Sequence, residues 1–151
     1  MSVTEQALAV AEELAKHFEG LFLKPYLCPA GVPTIGYGST MYEDGTRVTL
    51  QDSPITRERA LSLLRLTLRR DYMVGIIKAS PGLLRWAARL GAMTDFGYNL
   101  GVPRYRASTL KRRIDAEDWA GAREEVMKWN RGGGRVLAGL TKRCKARAAL
   151  L

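Results

Sequence analysis

Glu19 raises the first chemical question. It follows a run in which Ala7, Val10, Ala11, Leu14 and Phe18 recur at helical spacing, and Gly20 comes next. A carboxylate at the C-terminal end of a helix meets the negative pole of the peptide dipoles. Partial burial acts in the same sense, so the proton-bearing form that a general acid needs is favoured. The plain alternative is a solvated glutamate at a helix end. The two cysteines, Cys28 and Cys144, lack a CxxC spacing and read as free thiols, with a single disulfide as the alternative, and Cys144 as filler within a Lys and Arg cluster. His17 is the only histidine and has no neighbours at ligand spacing, so the sequence implies neither a metal nor a cofactor. Gly36, Tyr37 and Gly38 lack the lysine and following helix of a phosphate-binding loop.

The elements that would position Glu19 follow from the periodicities. An amphipathic first helix of about five turns ends near Glu19. Between Leu21 and Leu50 the chain changes to short Gly- and Pro-punctuated pieces, read as small antiparallel strands, with a hairpin turn at Glu43, Asp44 and Gly45. Thr56 caps a long helical run that Gly75 weakens without ending, and Pro81 and Gly82 break it. A core-like helix carrying Leu84, Ala88 and Met93 follows. After it come a helix capped at Ser108 or Thr109, and another with Trp119, Ala122, Val126 and Trp129 as its stripe. Gly132 to Gly134 read as a flexible corner before a basic terminal helix. The three tryptophans, Trp86 included, read as core residues rather than ligand platforms. The expected fold class is α+β: mostly helical, with a small antiparallel β lobe over about 21–53. A helical lobe formed by 1–20 and 54–151 completes a single domain, with the cleft between the lobes.

Length and charge bound the function. The 151 residues suffice for one domain with its own core and are 46% hydrophobic, which argues against disorder. Twenty-four Lys and Arg against fifteen Asp and Glu give +9, which suits an anionic target: a cell-wall polymer, an acidic membrane surface or nucleic acid. Nucleic acid is set aside because no zinc-finger spacing or aromatic RNA-binding motif accompanies the arginines. No apolar segment approaches a membrane span, and the first residues do not read as a signal peptide.

The segment from Phe18 to Thr40 resembles the catalytic segment of the bacteriophage lysozyme or endolysin family, glycoside hydrolase family 24. That pattern is a Glu, eight residues, an Asp or Cys, five residues and a Thr, closed by TIGYG; here it reads Glu19, Cys28, Thr34, then Ile35 to Gly38. The resemblance continues through Ile55 to Ala60, through Phe96, Asn99 and Gly101, and through Ser108 and Thr109. It ends with Trp129 and the GLxxRR-like close at Gly139, Leu140 and Arg143. Two departures stand in the last helix: Cys144 where a second Arg is usual, and Arg147 where an acidic residue is frequent. Both are read as changes in surface pairing.

The resemblance implies a lysozyme-like fold and cleavage of the β-1,4 bond between N-acetylmuramic acid and N-acetylglucosamine in bacterial peptidoglycan. Glu19 would be the general acid. Cys28, as thiolate or thiol, would take the place of the commoner Asp, unless it is simply a buried structural residue. Thr34 would hold the attacking water on the opposite face, as inversion requires, or merely open a strand. Tyr26, Phe96, Asn99 and Arg104 are the candidate wall of the glycan cleft, with Tyr26 and Phe96 reading equally as core residues, and the glycines of TIGYG let backbone approach it. A monomer is expected, made in the host bacterial cytoplasm and reaching the wall through a holin-made lesion. The competing readings are a cationic protein that permeabilises anionic membranes through its terminal helix, and a lytic transglycosylase acting on the same glycan.

Overall fold

The computed structural model describes residues 1–151. Helix α1 spans Val3–Phe18, opened by Ser2, whose hydroxyl accepts from Glu5 N–H while Glu5 reaches back to the Ser2 amide. Strands β1, Phe22–Leu27, and β2, Pro33–Gly36, pair antiparallel, with Tyr26 opposite Thr34. Helix α2, Arg57–Thr67, starts at the Thr56 cap and runs through a π-helical turn, Leu68–Met73, into α3, Val74–Ala79. A 3-10 turn at Pro81–Arg85 leads to α4, Ala87–Leu100, then α5, Val102–Arg106, α6, Thr109–Asp115, and α7, Trp119–Val126. A hairpin of β3, Arg131–Gly132, and β4, Arg135–Val136, precedes α8, Ala138–Ala148. The α+β class expected from the sequence is the one observed, and the core lies in the helical part around α4.

Helix α4 is the spine. Its residues Leu90 to Gly97 are all buried, so it is surrounded by other elements rather than half exposed. Against it lies α1, whose Ala7, Ala11 and Ala15 repeat every fourth residue and are fully buried. At Gly91 the two helices come so close that an added Cβ would stand 2.6 Å from Val10 Cβ and 2.7 Å from the Ala7 carbonyl oxygen. This seam of small residues sets where α1 ends, and therefore where Glu19 sits. Arg65 on α2 donates to the buried Glu12 carboxylate at 2.9 Å and joins α2 to the other face of α1.

Several local expectations are corrected. The Glu43–Gly45 turn forms, with Gly45 at φ 85°, but only the single bridge between Met41 and Arg47 flanks it. Gly132 to Gly134 form the tight β3–β4 hairpin instead of a loose corner. Leu84 is exposed, because the 3-10 turn rotates it away from the face that Leu83 buries. The departures in α8 are core features: Cys144 and Arg147 are both fully buried, so Arg147 does not pair at the surface.

Candidate active site

Glu19 is the C-terminal cap of α1, its N–H donating to Ala15 O at 2.8 Å and its side chain 30% exposed. The seam with α4 places it beside the C-terminal half of that helix. There Arg143 from α8 donates through Nη1 to Glu19 Oε1 at 2.9 Å. The same guanidinium forks onto Asp95, Nη2 to Oδ1 at 2.6 Å and Nε to Oδ2 at 3.1 Å. Arg147 approaches Asp95 from the other side, Nε to Oδ2 at 2.8 Å. Two guanidinium groups and two carboxylates thus balance in charge, three of the four side chains being almost wholly buried. The helix pole that Glu19 meets is countered by a cation aimed at the same carboxylate.

A cavity of about 440 Å³ opens beside Glu19. Gly38, Ser39, Thr40 and Met41 form one wall, Thr67, Arg70, Asp71 and Tyr72 a second, and Tyr98 and Asn99 the third. Gly38 is at φ 93°, and a Cβ there would meet the Tyr98 hydroxyl at 2.8 Å and Glu19 Oε2 at 3.6 Å, so this glycine does bring backbone up to the carboxylate. Gly36 serves packing, since its Cβ would press on Ala60 of α2 at 3.2 Å. Tyr98 donates to Tyr37 O at 2.7 Å and ties α4 to the TIGYG segment; burial first, and Glu19 second, push its hydroxyl well above the ordinary range. Ser39 is buried with its hydroxyl unpartnered. A larger groove of about 760 Å³ between α1 and α8 is mostly apolar and carries no convergent polar set, so the chemistry belongs to the smaller cavity.

Cys28, Thr34 and Tyr26 lie together on the β1–β2 hairpin. Tyr26 is opposite Thr34, and burial, then Glu19, then Cys28 raise its hydroxyl, but none of Tyr26, Cys28 and Thr34 lines the cavity that holds Glu19. The half-buried Cys28 thiol is lowered, chiefly by the Val32 N–H and further by Ala30 N–H and the Thr34 hydroxyl. Thr34 donates to Val32 O at 2.8 Å. Having one proton, it serves either that carbonyl or a Cys28 thiolate, and the residue itself is buried, only 3% exposed.

The other wall candidates separate. Asn99 lines the cavity, its Oδ1 accepting from Arg147 Nη2 at 2.9 Å. Phe96 is fully enclosed, edge-on to Tyr105 and Trp129 with the Arg147 guanidinium over its ring, so it supports the wall from behind and has no face for a sugar. Arg104 is exposed on α5 and does not line the cavity that holds Glu19. Tyr98 and Tyr72, edge to face at 5.3 Å, went unrecognised in the sequence. Tyr98 is legible in hindsight as the residue before Asn99; Tyr72 depends on the π-helical turn, which periodicity does not announce.

The family model for phage lysozyme matches residues 16–147. The chain is 31% identical over 154 residues to an endolysin of Acyrthosiphon pisum secondary endosymbiont phage 1, covering 99% of this chain and 97% of the relative. In three dimensions it resembles an endolysin from Escherichia coli O157:H7 phage FAHEc1, with a TM-score of 0.80, 26% identity, and coverage of 99% and 92% of the two chains. A crystal structure of a P22 lysozyme mutant superposes with a TM-score of 0.74 at 28% identity, covering 93% of each chain.

Proposed function

The chain belongs to the phage lysozyme family, and on that premise we propose that it works as an endolysin with Glu19 as the acid, cleaving the bond between N-acetylmuramic acid and N-acetylglucosamine in peptidoglycan. The observation that carries this reading is one carboxylate, anchored by Arg143 and half open, at the edge of a polar cavity with Cys28 and Thr34 on the adjoining hairpin. Glu19 gives its proton to the departing glycosidic oxygen as the C1–O bond breaks. A water held by the Thr34 lone pairs and by Cys28 attacks C1 from the opposite face, and its proton passes to the Cys28 thiolate or to solvent. A thiolate here supplies the negative charge that opposes the oxocarbenium-like centre, and the hydrogen bonds that lower this thiol favour that form.

Asn99 in the cavity and Tyr26 on the adjoining hairpin would contact the glycan, with Phe96 behind Asn99; Arg104, exposed on α5, belongs to the longer reach of the chain's positive charge toward an anionic wall. A monomeric state, passage through a holin-made lesion, and attraction to anionic membrane surfaces in transit are parts of the same proposal. No helix is long and apolar enough to cross a membrane.

The test is mass spectrometry of fragments released from purified peptidoglycan, with Glu19→Gln as the matched control. Reducing N-acetylmuramic ends that the control does not produce are expected. Anhydromuramic ends would replace hydrolysis by transglycosylation, and the absence of fragments from the folded native chain would end the enzymatic reading.

A further inference from the structure

Arg147 has no contact with solvent, yet it governs what a cavity-lining residue offers to a ligand. Its Nε donates to Asp95 Oδ2 at 2.8 Å, and its Nη2 donates to Asp95 O at 3.3 Å and to Asn99 Oδ1 at 2.9 Å. A guanidinium has donors only, so the atom that Asn99 turns toward it must be the amide oxygen. The choice between the two ends of that amide, ordinarily free, is fixed from within the core. Asn99 lines the cavity beside Glu19, and its Nδ2 has no partner within the protein.

We infer that Arg147 is a positioning residue that locks the Asn99 amide with its two N–H groups toward the cleft, as a donor site for an acceptor oxygen of the bound glycan, the carbonyl of an N-acetyl group. This rests on the peptidoglycan reading above and adds to it the residue that sets the polarity of one wall. A flipped amide would present an acceptor there and repel a carbonyl, so the lock selects for N-acetylated sugar. Asp95 makes the lock rigid. It holds Arg147 on one side and Arg143 on the other, so the donor and the Glu19 carboxyl are referred to one buried anion. The sequence pattern that puts an arginine at 147 therefore has its consequence in the cleft.

The experiment is steady-state hydrolysis of purified peptidoglycan by the full chain, comparing wild type, Asn99→Asp, Arg147→Lys and the double variant, each checked for folding by its urea midpoint. Asp at 99 still accepts from Arg147 but turns an acceptor to the cleft. KM is expected to rise about tenfold or more with kcat changed less, the mark of a lost binding contact. Arg147→Lys, whose single ammonium cannot hold Asp95 and Asn99 in the same fork, is expected to raise KM in the same manner, and the double variant to add little to either single change. On chemically N-deacetylated peptidoglycan the penalty of Asn99→Asp is expected to shrink. An unchanged KM in Asn99→Asp overturns the donor role. Additive effects of the two substitutions overturn the link through Arg147. Should Arg147→Lys not fold, the Asn99→Asp comparison on acetylated and deacetylated glycan decides alone. Absence of hydrolysis by the wild type would overturn the functional reading and this inference together, whereas active wild type with silent variants overturns only the inference.

Discussion

Arg143 reaches Glu19 at 2.9 Å across 124 residues of sequence while the opposite edge of its guanidinium is forked onto Asp95. The arginine is therefore anchored without Glu19, and the carboxyl can give up or take back a proton without releasing its neighbour. Replacing Glu19 by Gln removes the acid and keeps an oxygen for Arg143. Turnover on peptidoglycan is expected to fall by roughly 10³, within the range of general acid catalysis. The unfolding free energy measured in urea should change by less than about 1 kcal/mol, as for a half-exposed isosteric change. A variant that keeps a tenth of wild-type turnover would remove Glu19 from the mechanism.

Cys28 and Cys144 should separate chemically. Cys28 is half-buried with its thiol lowered by the Val32 N–H and its other donors, whereas Cys144 is fully buried and raised by that burial. Iodoacetamide followed by peptide mass mapping is expected to label Cys28 alone in the folded chain. The rate should reach half its maximum below the roughly pH 8.5 of a free thiol. Labelling should abolish hydrolysis. Cys28→Asp is expected to retain far more turnover than Cys28→Ala, since the carboxylate restores the negative charge; equal activities would show that charge at 28 is idle.

Gly38 has no room for a side chain. The Cβ of Gly38→Ala would stand 2.8 Å from the Tyr98 hydroxyl, in a backbone conformation at φ 93° that L residues rarely adopt. The substitution should cost about 2 kcal/mol in urea unfolding. Displacing Tyr98 opens the wall beside Glu19, so a loss of turnover well beyond the loss of folded protein is expected. Wild-type activity in Gly38→Ala would mean that the wall tolerates the shift.

Gly91 offers a complementary check on how α1 is aimed. Gly91→Ala would force a Cβ against Val10 and the Ala7 carbonyl, and backbone cannot yield as a flexible side chain does. A loss of about 1–3 kcal/mol is expected from overpacking. Because the seam sets where α1 ends, kcat should fall although Gly91 touches nothing in the cleft. A stability loss with kcat intact would locate the positioning of Glu19 in Arg143 alone.

The local patterns carried most of the helices, because capping residues such as Thr56 and Ser108 and the apolar spacing of α1 and α7 are short-range signals. Glu19, Cys28 and Thr34 are picked out by the family resemblance that their spacing and the intact TIGYG carry, and as a catalytic set they are part of the proposal. The network beneath Glu19 was not legible. Asp95 and Arg147 look like ordinary charged residues on helices, and only the crossing of α4 and α8 buries both. Phe96 reads from its motif equally as cleft wall or core, and the packing of its ring against Tyr105 and Trp129 decides for the core, because a motif gives a residue's importance without its direction. Tyr72 reaches the cavity through a π-helical turn whose extra residue per turn defeats a search at period 3.6.

Alkaline pH should loosen the tie between Tyr98 and the TIGYG segment. Burial holds the Tyr98 proton more tightly in the folded chain than in the unfolded one, and Glu19 adds to the effect. Tyr105 is raised in the same direction, mainly by burial, and Tyr42 is pushed up to about 12 by burial and then by Asp52. Above about pH 10 the unfolded chain releases these protons first, so it binds fewer than the folded chain and stability declines as pH rises. The contribution is whole below about pH 10, and the share of Tyr42 is lost between there and about 12. Urea midpoints are therefore expected to fall as pH rises from about 10 toward about 12. Tyr98→Phe, which should lose about 1 kcal/mol at neutral pH with the hydrogen bond to Tyr37 O, should show a shallower fall. An identical slope in the variant would mean that Tyr98 ionises without reference to folding, and the alkaline loss would belong to the other raised tyrosines, Tyr26, Tyr42, Tyr72 and Tyr105.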